Sequence, residues 1–261
     1  MVRKAYIKQI DYYLPADVVS NEDIVTDFPE WSVEKIARKV GVNKRHVASK
    51  NETASDLAIK AAERLFAKGE VSRDEIDYVL FCTQSPDYFL PTSACIIQDK
   101  LGLRRNIGAL DFNLGCSGYV YGLSLAKGLI SCGVANSVLL LTGETYNKHL
   151  HPKDKGNRTI FGDAASATVI STNGISEIGD FSLGTDGSGA DNLIVRSGGM
   201  RIPEKRCDLS FDENRNPVSS DYLYMNGAEI FTFTLDNVPP LIDDVLSKNG
   251  LAKDDIELYV F

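Results

Sequence analysis

Short apolar runs rich in Val, Ile and Leu recur along the chain at 78–81, 107–112, 138–141, 167–171 and 258–261, and each reads as a buried strand. The opening stretch MVRKAYIKQIDYYLP alternates, as a strand with one covered and one wet face does. Between the runs the period becomes helical. Residues 52–68 open on a Thr53 or Ser55 cap and set Leu57, Ala61 and Leu65 on one stripe, and 90–101 and 115–132 are predicted helical as well. Strand, helix and strand in succession, with runs apolar throughout, predict an α/β fold whose sheet is largely parallel and covered by helices on both sides. Residues 184–224 break this rhythm, because GTDGSGADN, SGGM and the polar run at 212–217 have the composition of loops or a small inserted hairpin. A helix is predicted over 228–248, broken or kinked at Pro239 and Pro240.

An internal echo organises these elements. Residues 68–81 (KGEVSRDEIDYVLF) and 248–261 (KNGLAKDDIELYVF) align without a gap, with Lys, Asp, Ile and Phe identical and most other positions exchanged like for like. Each copy ends a helix, turns through an acidic segment and enters a buried strand, so one α/β unit is expected twice. The chain is read as a first half, 1–172, and a second half, 173–261, expected to be incomplete because it ends inside its strand. Open α/β sheets carry their chemistry just beyond the carboxyl ends of strands.

Composition narrows the function class. Thirty-six acidic against 28 basic side chains leave a net charge of -8, which opposes nonspecific attachment to phosphate backbones. No run approaches the ~20 apolar residues of a bilayer span, and the start is not a signal-peptide core. A cytoplasmic protein without nucleic-acid or membrane partners is expected. Cys82, Cys95, Cys116, Cys132 and Cys207 include no C-x-x-C pair, so each is a lone thiol. The histidines are His46, His149 and His151; H-x-H with Asp154 is a weak metal pattern, both loop histidines are expected to be solvated, and no metal is expected.

The central chemical candidate is Asn113-Leu-Gly-Cys-Ser-Gly-Tyr119, which follows the 107–112 strand and opens a helix rich in small residues, Gly118, Gly122, Ser124 and Gly128. Cys116 would then stand at the amino end of a buried helix, where free N–H groups and the helix dipole favour thiolate and can hold an oxyanion during acyl transfer. A small buried hydrophobe is the other reading, and position alone does not choose between them. Gly184-Thr-Asp-Gly-Ser-Gly189 lacks the Lys-Ser/Thr of a phosphate loop and is read as a turn. Asp163 is expected to hold backbone.

N-x-x-C-S-G-Y, then Phe161-Gly-Asp-Ala-Ala-Ser-Ala167, Leu183-Gly-Thr-Asp-Gly-Ser-Gly189 and Tyr224-Met-Asn-Gly-Ala-Glu-Ile-Phe231, in that order, resemble the β-ketoacyl-acyl-carrier-protein synthase III branch of the thiolase-like superfamily. The resemblance implies two similar halves, each with a five-stranded mixed sheet. It implies a decarboxylating Claisen condensation, in which Cys116 takes an acyl group from acyl-CoA and malonyl-acyl-carrier protein attacks the thioester. The family's enolate-stabilising His and Asn would begin at position 262, so the chain is expected to lack condensation activity. Trp31 would stack on the CoA adenine or else simply pack; Lys39, Lys44, Arg45, Lys155 and Arg158 would meet CoA phosphates and the acidic carrier protein. Lys155 stands near the place of an Arg in many relatives, which loses the bidentate fork. Phe89, Leu90 and Phe161 would form the acyl pocket, with 85–91 reaching across a homodimer interface, and no cofactor beyond the acyl-CoA substrate is implied. The alternative is a noncatalytic thiolase-like remnant that dimerises or binds carrier protein.

Overall fold

The computed structural model describes residues 3–213 and 215–260. Contacts divide the chain into two units, Met1–Lys148 with Arg158–Ile178, and His149–Asn157 with Gly179–Phe261. In chain order, the first unit holds β1 (Tyr6–Tyr13), β2 (Asp17–Ser20), α1 (Asn21–Asp27), α2 (Val33–Val40), β3 (Lys44–Val47), α3 (Ala54–Ala67), β4 (Tyr78–Cys82) and α4 (Ser93–Lys100). These are followed by β5 (Gly108–Phe112), α5 (Gly118–Ser131), β6 (Ser137–Glu144), β7 (Ala164–Ser171) and β8 (Ser176–Glu177), while the single turn α6 (Lys155–Arg158) has Lys155–Asn157 in the second unit and Arg158 in the first.

One six-stranded sheet, in the order β5-β4-β6-β7-β1-β8, organises this unit. β4 pairs parallel with β5 and with β6, whereas β6 with β7, β7 with β1, and β1 with β8 are antiparallel. The sheet is mixed, which corrects the largely parallel one expected from the apolar runs. Apolarity on both faces reports burial, and β7 is buried on both faces while running against β6. α3 covers one face. Thr53 Oγ1 accepts from Asp56 N–H, the Asp56 carboxylate accepts from Thr53 N–H, and Leu57, Ala61 and Leu65 are fully buried as the stripe predicted. They join Val79, Phe81, Leu139, Leu141, Ala167 and Val169 in the main core.

The second unit holds two short ladders, β9 (Leu193–Ile194) with β12 (Tyr224–Met225) and β10 (Ser210–Phe211) with β11 (Pro217–Val218), and the helix α7 (Gly227–Asn249). The hairpin expected within 184–224 is present as β10 and β11. α7 runs unbroken through Pro239 and Pro240, which corrects the expected break; the prolines forfeit two backbone donors without ending the element.

The echo has a structural counterpart. Gly69 after α3 and Gly250 after α7 both take left-handed conformations, and 3-10 turns follow at Arg73–Glu75 and Lys253–Asp255. Ser72 N–H donates to Glu75 as Ala252 N–H donates to Asp255, at the same 180-residue offset (252 minus 72). The copies then part. Tyr78–Cys82 pairs on both sides, whereas residues 258–260 form no strand, because among the described residues nothing pairs with them. Phe261 lies outside the described residues. A second five-stranded sheet is not found among the described residues, and the expectation that the second half is an incomplete copy is not confirmed.

Candidate active site

Because β4, β5 and β6 are parallel and in register (Cys82 opposite Phe112 and Thr142), their carboxyl ends lie side by side. The residues at or just past the end of each strand, Gln84, Cys116 and Glu144 to Tyr146, therefore meet over one end of the sheet, where such folds hold chemistry.

After β5 the chain turns at residues 113–117, closed by Gly118 N–H donating to Gly115 O at 2.9 Å. Cys116 stands two residues before the first helical residue and is exposed, so it is not a packing residue. Among the described residues the main-chain amides of Cys116 and Ser117 carry no hydrogen bond, leaving donors beside the thiol. The helix is not fully buried, as the sequence suggested. α5 buries only the stripe Gly118, Gly122, Ala126 and Ile130, while Val120 and Leu125 face outward.

Two of the small residues explain how α5 lies on the sheet. A Cβ at Gly118 would come 2.3 Å from Cys82 Sγ, and one at Gly122 would come 2.5 Å from Leu140; one at Gly128 would meet nothing within 4 Å. Beneath the turn, Cys82 donates to Leu114 O at 3.2 Å, and burial pushes its thiol up to about 11. Cys82 thus stays protonated and supports the turn.

Glu144, which ends β6, was not singled out in the sequence. Its carboxylate accepts from Gln84 N–H at 2.7 Å and from the Ser85 hydroxyl at 2.8 Å. Burial, reinforced by repulsion from Asp163, pushes it up to about 7 against the stabilising pull of those two donors. Gln84 Oε1 accepts from the Tyr146 hydroxyl at 3.3 Å and would lie 2.8 Å from a Cβ at Gly115. Burial raises the Tyr146 phenol, with Glu144 and Cys116 adding to the effect, which places both near its ring. The signal available in the sequence was a carboxylate closing the apolar run SVLLLTGE, at a strand's carboxyl end.

The other expected residues fall into distinct places. Phe161 joins this cluster, its ring 4.8 Å from Tyr146. Phe89 and Leu90 do not; they are 75% and 82% exposed. Trp31 is half-buried on Ile24, Phe28 and Ile36, with Lys35 Nζ 5.3 Å from its ring centre. Lys39 and Lys44 are exposed. Arg45 is 3% exposed, its guanidinium donating to Thr159 O, Asn21 Oδ1 and Val42 O, so it is a structural residue, which removes it from the expected phosphate set. Arg158 pairs with Asp27 at 2.9 Å, and Lys155 is half-buried in α6 of the second unit.

His46 Nδ1 lies 2.6 Å from Pro15 O. His151 is buried and not solvated as expected: its Nδ1 accepts from Lys153 N–H and its ring sits edge-on to Tyr222. Among the described residues no three His, Cys, Asp or Glu converge to hold a metal. Asp163 accepts from Ala48 N–H and from both the main-chain and side-chain amides of Asn147, the backbone-holding role read from the sequence.

The family model described as 3-oxoacyl-[acyl-carrier-protein (ACP)] synthase III matches residues 110–187, which include the whole Cys116 turn. The β-ketoacyl-[acyl-carrier-protein] synthase III of Clostridium perfringens strain 13 is 37% identical over 249 residues, 95% of this chain and 74% of that protein. A 3-oxoacyl-(acyl-carrier-protein) synthase III crystal structure superposes with a TM-score of 0.94 at 48% identity, covering 97% of this chain and 77% of that one. The 3-oxoacyl-(acyl-carrier protein) synthase from Burkholderia xenovorans LB400 superposes with a TM-score of 0.85 at 37% identity, covering 97% and 71%. None of these findings supports the expectation that condensation activity is lost. No helix among the described residues is long and apolar enough to cross a membrane.

Proposed function

The chain belongs to the 3-oxoacyl-[acyl-carrier-protein] synthase III family, thiolase-like acyltransferases of fatty acid biosynthesis, and from that premise we propose that Cys116 is its acyl-accepting nucleophile. The Cys116 thiolate attacks the carbonyl of an acyl-CoA, a carbon-sulfur bond forms, and CoA leaves as a thiolate that takes up a proton. Exchange of one thioester for another costs little free energy, which suits a soft nucleophile. Malonyl-acyl-carrier protein then loses carbon dioxide, and the resulting carbanion attacks the acyl-Cys116 carbonyl to release the β-ketoacyl product and regenerate the thiolate.

The observation that carries this reading is an exposed thiol at the carboxyl end of β5, beside unpaired amides that suit a tetrahedral oxyanion. Trp31 offers a half-exposed ring for the CoA base, and Lys39 and Lys44 are exposed cations for its phosphates and for an acidic carrier protein. Arg158 serves that role only on leaving Asp27, and Lys155 is proposed as a further phosphate contact. Phe161 lines the acyl site, and Phe89 and Leu90 complete it for a partner subunit across a homodimer interface. The reaction needs no metal or further cofactor.

The test is intact-mass measurement after brief exposure to acetyl-CoA and to longer acyl-CoA thioesters, with Cys116→Ser alongside. An adduct of acyl mass on the native chain, absent from Cys116→Ser, is expected. An adduct that persists in Cys116→Ser, or none with any primer, overturns the assignment.

A further inference from the structure

Among the described residues no hydrogen bond joins Glu144 to Cys116, yet its carboxylate accepts from both Gln84 N–H and the Ser85 hydroxyl. The segment it fastens carries the Gln84 amide, whose Oε1 rests against Gly115, one residue before Cys116, and accepts from Tyr146. A Cβ at Gly115 would approach Oε1 to 2.8 Å, so a larger residue there would shift the end of the Gln84 side chain. A direct mechanical path therefore runs from the end of β6, through the loop after β4, to the turn after β5.

We infer that Glu144 is a positioning residue for the nucleophile, a carboxylate clamp that holds Gln84 against the Cys116 turn and fixes the thiol's reach toward the acyl carbonyl. The inference rests on the reading of Cys116 as nucleophile. The clamp is strongest when Glu144 is ionised, because both of its contacts are donors and charge-assisted hydrogen bonds exceed neutral ones. Once protonated, one oxygen must donate, the Ser85 hydroxyl must turn round to accept, and the clamp loosens. Of the titratable groups near Glu144, Asp163 raises it, against the pull of the Gln84 and Ser85 donors. Asp163, Tyr146 and Cys82 surround it, none is cationic, and among the described residues no Lys or Arg pairs with it. Its proton therefore leaves near neutrality, so the clamp tightens as the pH rises through about 7.

Glu144→Gln copies the protonated state, with one acceptor and one donor at every pH. The rate of Cys116 alkylation by iodoacetamide, read on the Cys116 peptide so that other cysteines do not contribute, is compared between the native chain and E144Q from pH 5.5 to 8.5. The ratio of native to E144Q rates should be near one at pH 5.5 and rise to roughly fivefold above pH 8, the difference between one charged and one neutral hydrogen bond. Gln84→Ala should flatten the same profile without touching Glu144. A ratio constant across the range, or a Gln84→Ala profile that keeps the native inflection, overturns the inference. Alkylation does not depend on acyl transfer, so a native chain that alkylates with this profile but never acylates defeats the nucleophile assignment and not the clamp.

Discussion

Lys44 and Arg45 are neighbours in sequence with opposite surroundings. Lys44 lies in solvent, whereas Arg45 is 3% exposed and spends its guanidinium on Thr159 O, Asn21 Oδ1 and Val42 O. Arg45→Met should therefore lower stability by about 2 to 4 kcal/mol, because it strands buried acceptors. Lys44→Met should change stability by less than about 0.5 kcal/mol. Urea unfolding checks both, and an Arg45→Met protein of native stability would refute the structural role. Cys116 was legible because its motif is local, seven consecutive residues at a strand-to-helix junction. Glu144 was not, since a Glu after an apolar run reads as the first solvated residue of a loop. Its burial depends on Gln84 and Asp163, distant in sequence. The carboxyl value lies above the usual carboxylate range, so the folded protein takes up a proton at this group. Its contribution to stability is intact below the unfolded value, is lost as the pH rises toward about 7, and changes no further beyond. Glu144→Gln should thus match the native chain in stability near pH 4.5 and exceed it above pH 7 by up to about 3 kcal/mol. Urea midpoints at pH 5 and pH 8 measure the difference, and an equal offset at both would show that the group does not titrate with folding.

The glycines of α5 separate what a helix needs from what its neighbours need. Gly118 sits where a Cβ would come 2.3 Å from Cys82 Sγ, so Gly118→Ala must push the helix off the sheet and should cost about 1 to 3 kcal/mol. Gly128 meets nothing within 4 Å and lies inside the helix, so Gly128→Ala should stabilise by about 0.5 to 1 kcal/mol. Thermal unfolding of the two variants should move in opposite directions, and a Gly118→Ala protein as stable as Gly128→Ala would refute the close approach to Cys82. Sequence pattern placed α3, α4 and α5 and the strands β4 to β7 well, because periodicity is a property of each segment alone. It gave the wrong sheet sense, since strand direction depends on which segments become neighbours, and β7 lies between β6 and β1 only in space. The run at 258–260 failed for a related reason. An apolar composition fits a segment to a ladder, but a strand exists only where another strand supplies its hydrogen bonds.

For the whole molecule, β5 is the decisive element, because it carries the Cys116 turn at one end and forms the edge of the sheet along its length. It pairs with β4 on one side and, among the described residues, with no strand on the other. Exposed edges with apolar side chains invite pairing with another chain, and here Leu110 on the strand is 43% exposed, while Phe89 and Leu90 are 75% and 82% exposed. A second copy meeting β5 across a two-fold axis would complete the ladder with an identical edge, since such an axis sets the same strand antiparallel to itself. Lysine on an edge strand opposes such pairing, and a two-fold axis brings two substituted lysines to the same seam. Leu110→Lys should therefore weaken any homodimer formed through this edge, read as a smaller species than the native chain in sedimentation at micromolar concentration. Because Phe89 and Leu90 would then lose the neighbour they serve, acyl transfer to Cys116 should fall with the dimer fraction and recover at higher protein concentration. A Leu110→Lys protein that remains dimeric would place the interface elsewhere, and one that is monomeric yet acylates at the native rate would show that each chain completes its own acyl site.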